Sequence, residues 1–128
     1  MVKVDPTDLV TEFHKIYDVP IRSKPLLKIP ERQLRVDLLK EETQEYEEAE
    51  KEGSLVQMAD ALGDIVYVAY GAALAHGIDL SAVLLEIHRS NMSKLGADGK
   101  PMYRNDGKVM KGPNYSPPDI EKVLYDST

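Results

Sequence analysis

Glu41, Glu42 and Glu45 stand where an amphipathic helix should be burying hydrocarbon. Take Arg32 to Glu52 as one helix with Leu38 at the middle of its apolar face. At ~100° per residue, Leu34 falls about 40° to one side and Ala49 about 20° to the other. On the same wheel Glu45 lands about 20° from the centre, Glu42 about 40° and Glu41 about 60°, while Glu47 points away. Carboxylates facing a core repel one another and lose hydration, a cost of several kcal/mol per ion unless a positive charge compensates. A divalent cation answers this economically, because hard oxygen donors are what magnesium or manganese takes. A solvated acidic face is the ordinary explanation of a glutamate-rich helix; the angular placement weighs against it here.

Further acids interrupt the next helix. Met58, Leu62, Ile65, Val66, Ala69 and Ala73 make one broad apolar face, and Val68 and Leu74 lie towards the other. A helix apolar nearly all round is central, and in a small chain its second side suits another subunit. Asp60 and Asp64 break this pattern one turn apart, on a face shared with Tyr67 and Gly71. Asp60 is close enough to the helix start to be stabilised by its dipole, whereas Asp64 is too deep for that. Both are candidate metal ligands. In the fourth helix Leu80, Leu84, Ile87 and Leu95 define the stripe, with Asn91 inside it and Lys94 at its edge. Asn91 and Lys94 suit phosphate oxygens; His88 reads as an ordinary packed histidine.

The stretch from Gly96 to Pro118 is polar and locally basic, with Lys100, Arg104, Lys108 and Lys111 set against Asp98 and Asp106. Two Asp-Gly-Lys triplets signal turns, and Met102 to Met110 reads as a small hairpin. One reading is a solvated decoration. The functional one is a flap over an anionic substrate, with Lys108 and Lys111 on its phosphates and Tyr103 or Tyr115 stacking on a base.

These groups need a scaffold, and the periodicity supplies an all-α one. The first helix starts near Thr7 behind Asp5-Pro6 and runs to about Asp18, with Leu9, Phe13 and Ile16 as its apolar stripe. Val19 to Pro30 holds three prolines and reads as an extended linker. The second helix ends at Gly53, the third runs from after Ser54 to about His76, and the fourth, capped by Asp79 or Ser81, ends near Leu95-Gly96. Short connections favour a four-helix bundle with a loop or hairpin tail. The 128 residues suit a single domain, with a helical core over about 7–95 and a polar tail over 96–128. The chain has no cysteine, which excludes thiolate zinc sites and a cysteine nucleophile. A net charge of −6 argues against non-specific nucleic-acid binding. Neither a membrane span nor a signal pattern is expected, so the reading is a cytoplasmic protein.

The run from Leu34 to Glu45 resembles the first signature of the all-α nucleoside triphosphate pyrophosphohydrolases, the superfamily of MazG-like proteins, phosphoribosyl-ATP pyrophosphohydrolases and dimeric dUTPases. Its usual form is E-x-x-E followed, after a spacer, by E-x-x-D. Glu42 and Glu45 fit the first half, with Glu41 as the customary preceding acid, and Asp64 fits the final aspartate. Ala61 departs from the pattern, since glutamate normally stands there; Asp60, one residue earlier, is its candidate replacement. His88 to Leu95 and Gly112-Pro113-Asn114-Tyr115 look like the MazG-like branch. The resemblance implies hydrolysis of a nucleoside triphosphate to the monophosphate and pyrophosphate, in the service of nucleotide-pool sanitation. It implies magnesium or manganese on Glu42, Glu45 and Asp64, with Glu41 orienting or deprotonating water or binding another ion. Asn91, Lys94, Lys108, Lys111 and Tyr115 would hold the nucleotide, in a homodimer or homotetramer. Two alternatives stand beside this reading: a pyrophosphohydrolase of phosphoribosyl-ATP, dUTP or dCTP, and a non-catalytic nucleotide- or metal-binding regulator.

Overall fold

The computed structural model describes residues 3–126, and its contacts divide the chain into two compact units, 1–80 and 81–128. Among the described residues the chain is all-helical, with five helices and a single isolated β-bridge.

The first unit holds α1 (Pro6–Ile16), α2 (Arg32–Glu52) and α3 (Leu55–His76). Asp5 caps α1 by accepting from the Thr7 amide at 2.9 Å, with Pro6 in the first turn. The buried residues of α1 are Val10 and His14, whereas Leu9, Phe13 and Ile16 are 49, 40 and 66 % exposed. The stripe is therefore rotated by one residue from its expected place. A partner for the imidazole allows this: His14 Nδ1–H donates to the Pro20 carbonyl at 3.1 Å.

Residues 19–30 are more than a spacer. The amides of Arg22 and Leu26 donate to the carbonyls of Leu74 and His76 at 2.9 and 2.8 Å, and Ile29 is buried. The Arg22 guanidinium donates to Ala75 O at 2.7 Å and pairs with both Glu31 oxygens. The bonds to Ala75 and His76 satisfy carbonyls at the end of α3, while the Leu74 carbonyl accepts from the Gly77 amide as well.

Gly53, left-handed at φ 73°, ends α2, and Ser54 caps α3 through the Gln57 amide at 3.2 Å. So short a link folds the two helices into an antiparallel hairpin, and α2 and α3 form the main packing of the unit. Arg35 and Ala49 are buried on α2, with the half-buried Glu42 midway between them at seven-residue spacing. The inward face of α2 is thus centred on Glu42, not Leu38. Measured from Glu42 at ~100° per residue, Arg35 and Ala49 lie about 20° away, Glu45 about 60°, Leu34 about 80° and Glu41 about 100°. That rotation exposes Leu34, and small residues on the Asp64 side of α3 leave room for it: Ala61, Gly71 and Ala75 are all buried.

α3 corrects the expectation of no membrane-length segment. Its 22 residues, at a mean hydropathy of 1.3, are long and apolar enough to cross a membrane by length and composition. Asp64 in mid-helix and the packing on α1 and α2 suit a core helix equally. Leu62 and Val66 of its expected apolar face are each 48 % exposed, and Leu55 and Val56 more so.

The second unit opens within the first turn of α4 (Leu80–Met92), which buries Val83 and Ser90 in place of the expected Leu84 and Ile87. The helix stops at Met92, short of Leu95, and bends at Ser93 and Lys94 bonded back to Ser90 and Asn91 carbonyls. The expected hairpin is present in reduced form. Tyr103 and Val109 make one antiparallel bridge, the Arg104 amide donates to Lys108 O at 2.7 Å, and Gly107 turns at φ 89°. The chain then returns to α4: the Gly112 amide donates to Lys94 O, and the Ser116 amide to Ser93 Oγ, each at 2.8 Å. A last short helix, α5 (Ile120–Tyr125), capped by Asp119, had no counterpart in the sequence expectations.

Candidate metal centre

The hairpin register opposes Glu42 and Asp64, and Glu45 stands one turn along α2 from Glu42. One carboxylate oxygen from each of these three residues lies within 4.8 Å of the other two. Glu42 is half-buried, and its Oε2 is fully enclosed with no hydrogen-bond partner. An enclosed acceptor of this kind costs free energy unless a proton or a cation meets it. Burial pushes the Glu42 carboxyl up to about 7, reinforced by neighbouring Glu45 and by the charges of Asp64 and Glu41. A hard divalent ion would replace that proton with charge of the right sign, so the donor set fits magnesium or manganese.

Glu41 and Asp60 are exposed and stand outside the three-carboxylate group. For Glu41 the rotation of α2 about Glu42 is the cause. Ala61, at the position of the superfamily's usual glutamate, is buried at 3 % exposure.

Towards the other end of the hairpin the register brings Arg35 against Gly71. A Cβ on Gly71 would stand 2.7 Å from Arg35 Nη1 and 3.3 Å from His14 Nε2, so only glycine leaves them this room. Arg35 is 8 % exposed, its Nε has no hydrogen-bond partner, and no carboxylate pairs with it among the described residues. Burial lowers the Arg35 pKa, only partly offset by the charge of Glu31. The His14 pKa is also lowered, first by burial, against the raising effect of its bond to Pro20. Beside them Phe13 meets Tyr67 edge-on, with ring centroids 5.7 Å apart. Arg35 is invisible to hydrophobic patterning; its seven-residue spacing with Glu42 and Ala49 is the signal that marks it.

The remaining candidates belong to the second unit. Asn91 is exposed and Lys94 half-buried, while Lys108 and Lys111 are exposed on and beside the hairpin. Lys111 Nζ sits 4.8 Å over the Tyr115 ring, a cation–π contact. The same unit has an open depression of about 900 Å³ between α4 and the returning chain, lined by Glu86, Arg89, Ser116 and Lys122 among others. Arg89 grips Glu86 through two 2.8 Å bonds and, with the Asp119 amide, holds the Glu86 carboxyl down at about 2.

Residues 10–91 match the phosphoribosyl-ATP pyrophosphohydrolase family. The chain belongs to that family. The family is a member of the MazG-like superfamily that the signature resembled. The matched span runs from α1 to the end of α4, so it takes in Glu42, Glu45 and Asp64 and stops before the basic hairpin. The chain is 34 % identical over 92 residues to uncharacterized protein L479 of Acanthamoeba polyphaga mimivirus. That match covers 71 % of the chain and about a third of the viral protein, 34 % of its length. A solved structure from Exiguobacterium sp. 255-15, described as a "putative NTP pyrophosphohydrolase", is 23 % identical with a TM-score of 0.49, over 94 % of this chain and 92 % of that one.

Proposed function

We propose that the protein hydrolyses a nucleoside triphosphate to the monophosphate and pyrophosphate with magnesium or manganese. The observation that carries this is the Glu42–Glu45–Asp64 group with its enclosed, unpartnered Glu42 oxygen. Membership of a pyrophosphohydrolase family supports the reaction type. When bound, the ion neutralises phosphate oxygens and polarises the bond to be broken.

The chain's own groups divide the remaining work. Glu42, at the centre of the buried face, fixes the site's position, since it is held between Arg35 and Ala49 on a rigid helix. Glu45 and Asp64 complete the donor set. Glu41, exposed on the same helix, is the proposed group to orient or deprotonate water. Asp60 is the further candidate ligand. Asn91, Lys94, Lys108, Lys111 and Tyr115 are the proposed substrate contacts of the second unit, where lysines supply mobile point charges for phosphate. Exposed Leu55, Val56, Leu62 and Val66 on α3 support a homodimer or homotetramer. A cysteine-free chain is at home in a reducing cytoplasm, where such an enzyme would clear unwanted nucleotides.

The family description favours one more specific reading, with phosphoribosyl-ATP as the substrate. Pyrophosphate release in magnesium and in manganese decides between the readings, measured over a panel of standard, deoxy and damaged nucleotides with dUTP, dCTP and phosphoribosyl-ATP. Release from none of them, with nucleotide still bound, would make the protein a binding regulator instead.

A further inference from the structure

We propose that Phe13 and Tyr67 form the platform on which the nucleobase lies, with Arg35 at its floor. This assignment rests on the nucleotide reading above and adds the end of the substrate that the carboxylates cannot recognise. Tyr67 follows Asp64 by three residues on α3, so the two side chains are neighbours on one helix face. Gly71 continues that face one turn further. A triphosphate held at Asp64 with its nucleoside directed along this face would meet the Tyr67 ring first and the Arg35 guanidinium packed on Gly71 beyond it.

Large aromatic side chains are normally covered, yet here Phe13 remains 40 % exposed and Tyr67 37 %, beside alanines that are buried. The rings stand edge to face, at 87°, and Tyr17 packs on Phe13 at 4.5 Å between centroids. Such an arrangement leaves ring surface open to a flat, polarisable guest. Arg35 supplies the independent sign of a missing ligand. It is more than nine-tenths buried, it makes no ion pair among the described residues although the charge of Glu31 acts on it from a distance, and its Nε donates to nothing. A buried cation in that condition calls for an acceptor, and a base edge or ribose oxygen would provide one. The spacing agrees: Arg35 and Glu42 are two turns apart on one face of α2, about 10.5 Å along the axis. That is close to the reach of a nucleoside from its 5′ oxygen to the far edge of its base.

The test measures binding of two ligands in manganese by calorimetry: an α,β-methylene nucleoside triphosphate, and inorganic tripolyphosphate, which has no base. Tyr67→Leu and Phe13→Leu keep apolar bulk and remove the stacking surface. Each should raise Kd for the nucleotide about fivefold to a hundredfold, the range expected for a lost base–aromatic stack, while Kd for tripolyphosphate stays within about twofold. Equal losses for both ligands, or no loss for either, would overturn the platform. So would a changed oligomeric state by sedimentation with nucleotide affinity intact, which would assign the rings to a subunit interface. Failure of the wild type to bind either ligand in manganese would refute the nucleotide reading itself, and the platform with it.

Discussion

Glu42→Gln should stabilise the metal-free protein at alkaline pH and abolish its response to metal. The folded-state pKa of Glu42, about 7, stands above its ordinary value of 4.5. Between these values the native state holds a proton that the unfolded chain has released, so stability falls as pH rises through the window and levels off above it. At about 1.4 kcal/mol per unit the full shift corresponds to roughly 3.5 kcal/mol, and solvent screening of a half-buried group reduces this to about 1–2 kcal/mol. Glutamine mimics the protonated form and escapes that cost. With chelator at pH 8, Glu42→Gln should therefore melt several degrees above wild type, at roughly 3–6 °C per kcal/mol for a chain of this size. By pH 4.5 the difference should shrink to a few tenths of a kcal/mol, about 1–2 °C. Manganese should invert the order, because a ligand at a hundred times its Kd adds about 2.7 kcal/mol to the form that binds it. Scanning calorimetry at both pH values, with chelator and with manganese, reads all four conditions. A Glu42→Gln protein that is less stable than wild type at pH 8 without metal, or equally stabilised by manganese, would refute the three-carboxylate centre.

Other perturbations separate the roles of neighbouring groups. Glu45→Gln and Asp64→Asn should each lower kcat/KM for pyrophosphate release by roughly a hundredfold or more, whereas Asp60→Asn, outside the group, should cost less than about tenfold. An Asp60→Asn loss as large as that of Asp64→Asn would instead make Asp60 the replacement for the glutamate absent at Ala61. If the exposed lysines of the hairpin grip phosphate, Lys108→Ala with Lys111→Ala should raise KM several-fold at low salt, with the effect fading towards molar salt and kcat unchanged. Gly77→Ala should lower the melting temperature by the equivalent of about 1–3 kcal/mol, since Gly77 is left-handed at φ 74° and a Cβ there would meet the Lys24 backbone. Unchanged melting would mean that residues 19–30 can separate from α3 at no cost.

The three-carboxylate group could be read from sequence because a solvated face is a poor account of carboxylates at those angles, and Asp64 has no helix terminus near it. The position of Glu41 relative to the three-carboxylate group was not legible, because a face of α2 centred on a leucine puts it nearer the interior than it stands. The true centre of that face is Glu42, flanked by a buried arginine that hydrophobic patterning excludes from any core. α1 repeats the lesson: His14 displaces Phe13 from the interior because Pro20, across a tight turn through left-handed Asp18, offers the imidazole a carbonyl. Such a bond joins residues whose meeting depends on the turn between them, which periodicity does not encode. The helix boundaries fared better, since Asp5, Gly53, Ser54 and Gly77 act locally through caps. α5 escaped notice because six residues behind two prolines carry too little periodicity to register.

The returning chain of the second unit is sewn to α4 at successive points. Gly112 bonds to Lys94, Ser116 to Ser93 and Arg89, Pro117 to Arg89, and Asp119 to Glu86. The fifteen residues 97–111 are therefore a closed circuit, not a free end. Much of the entropy of bringing a loop's ends together has already been spent in folding, and doubling such a loop would add only about 0.6 kcal/mol. Insertions at Gly107 should consequently be tolerated. A single proteolytic cut among the hairpin's basic residues would leave both pieces attached to the same helix, so a nicked chain would run as two bands in denaturing gel and still behave as one molecule in solution.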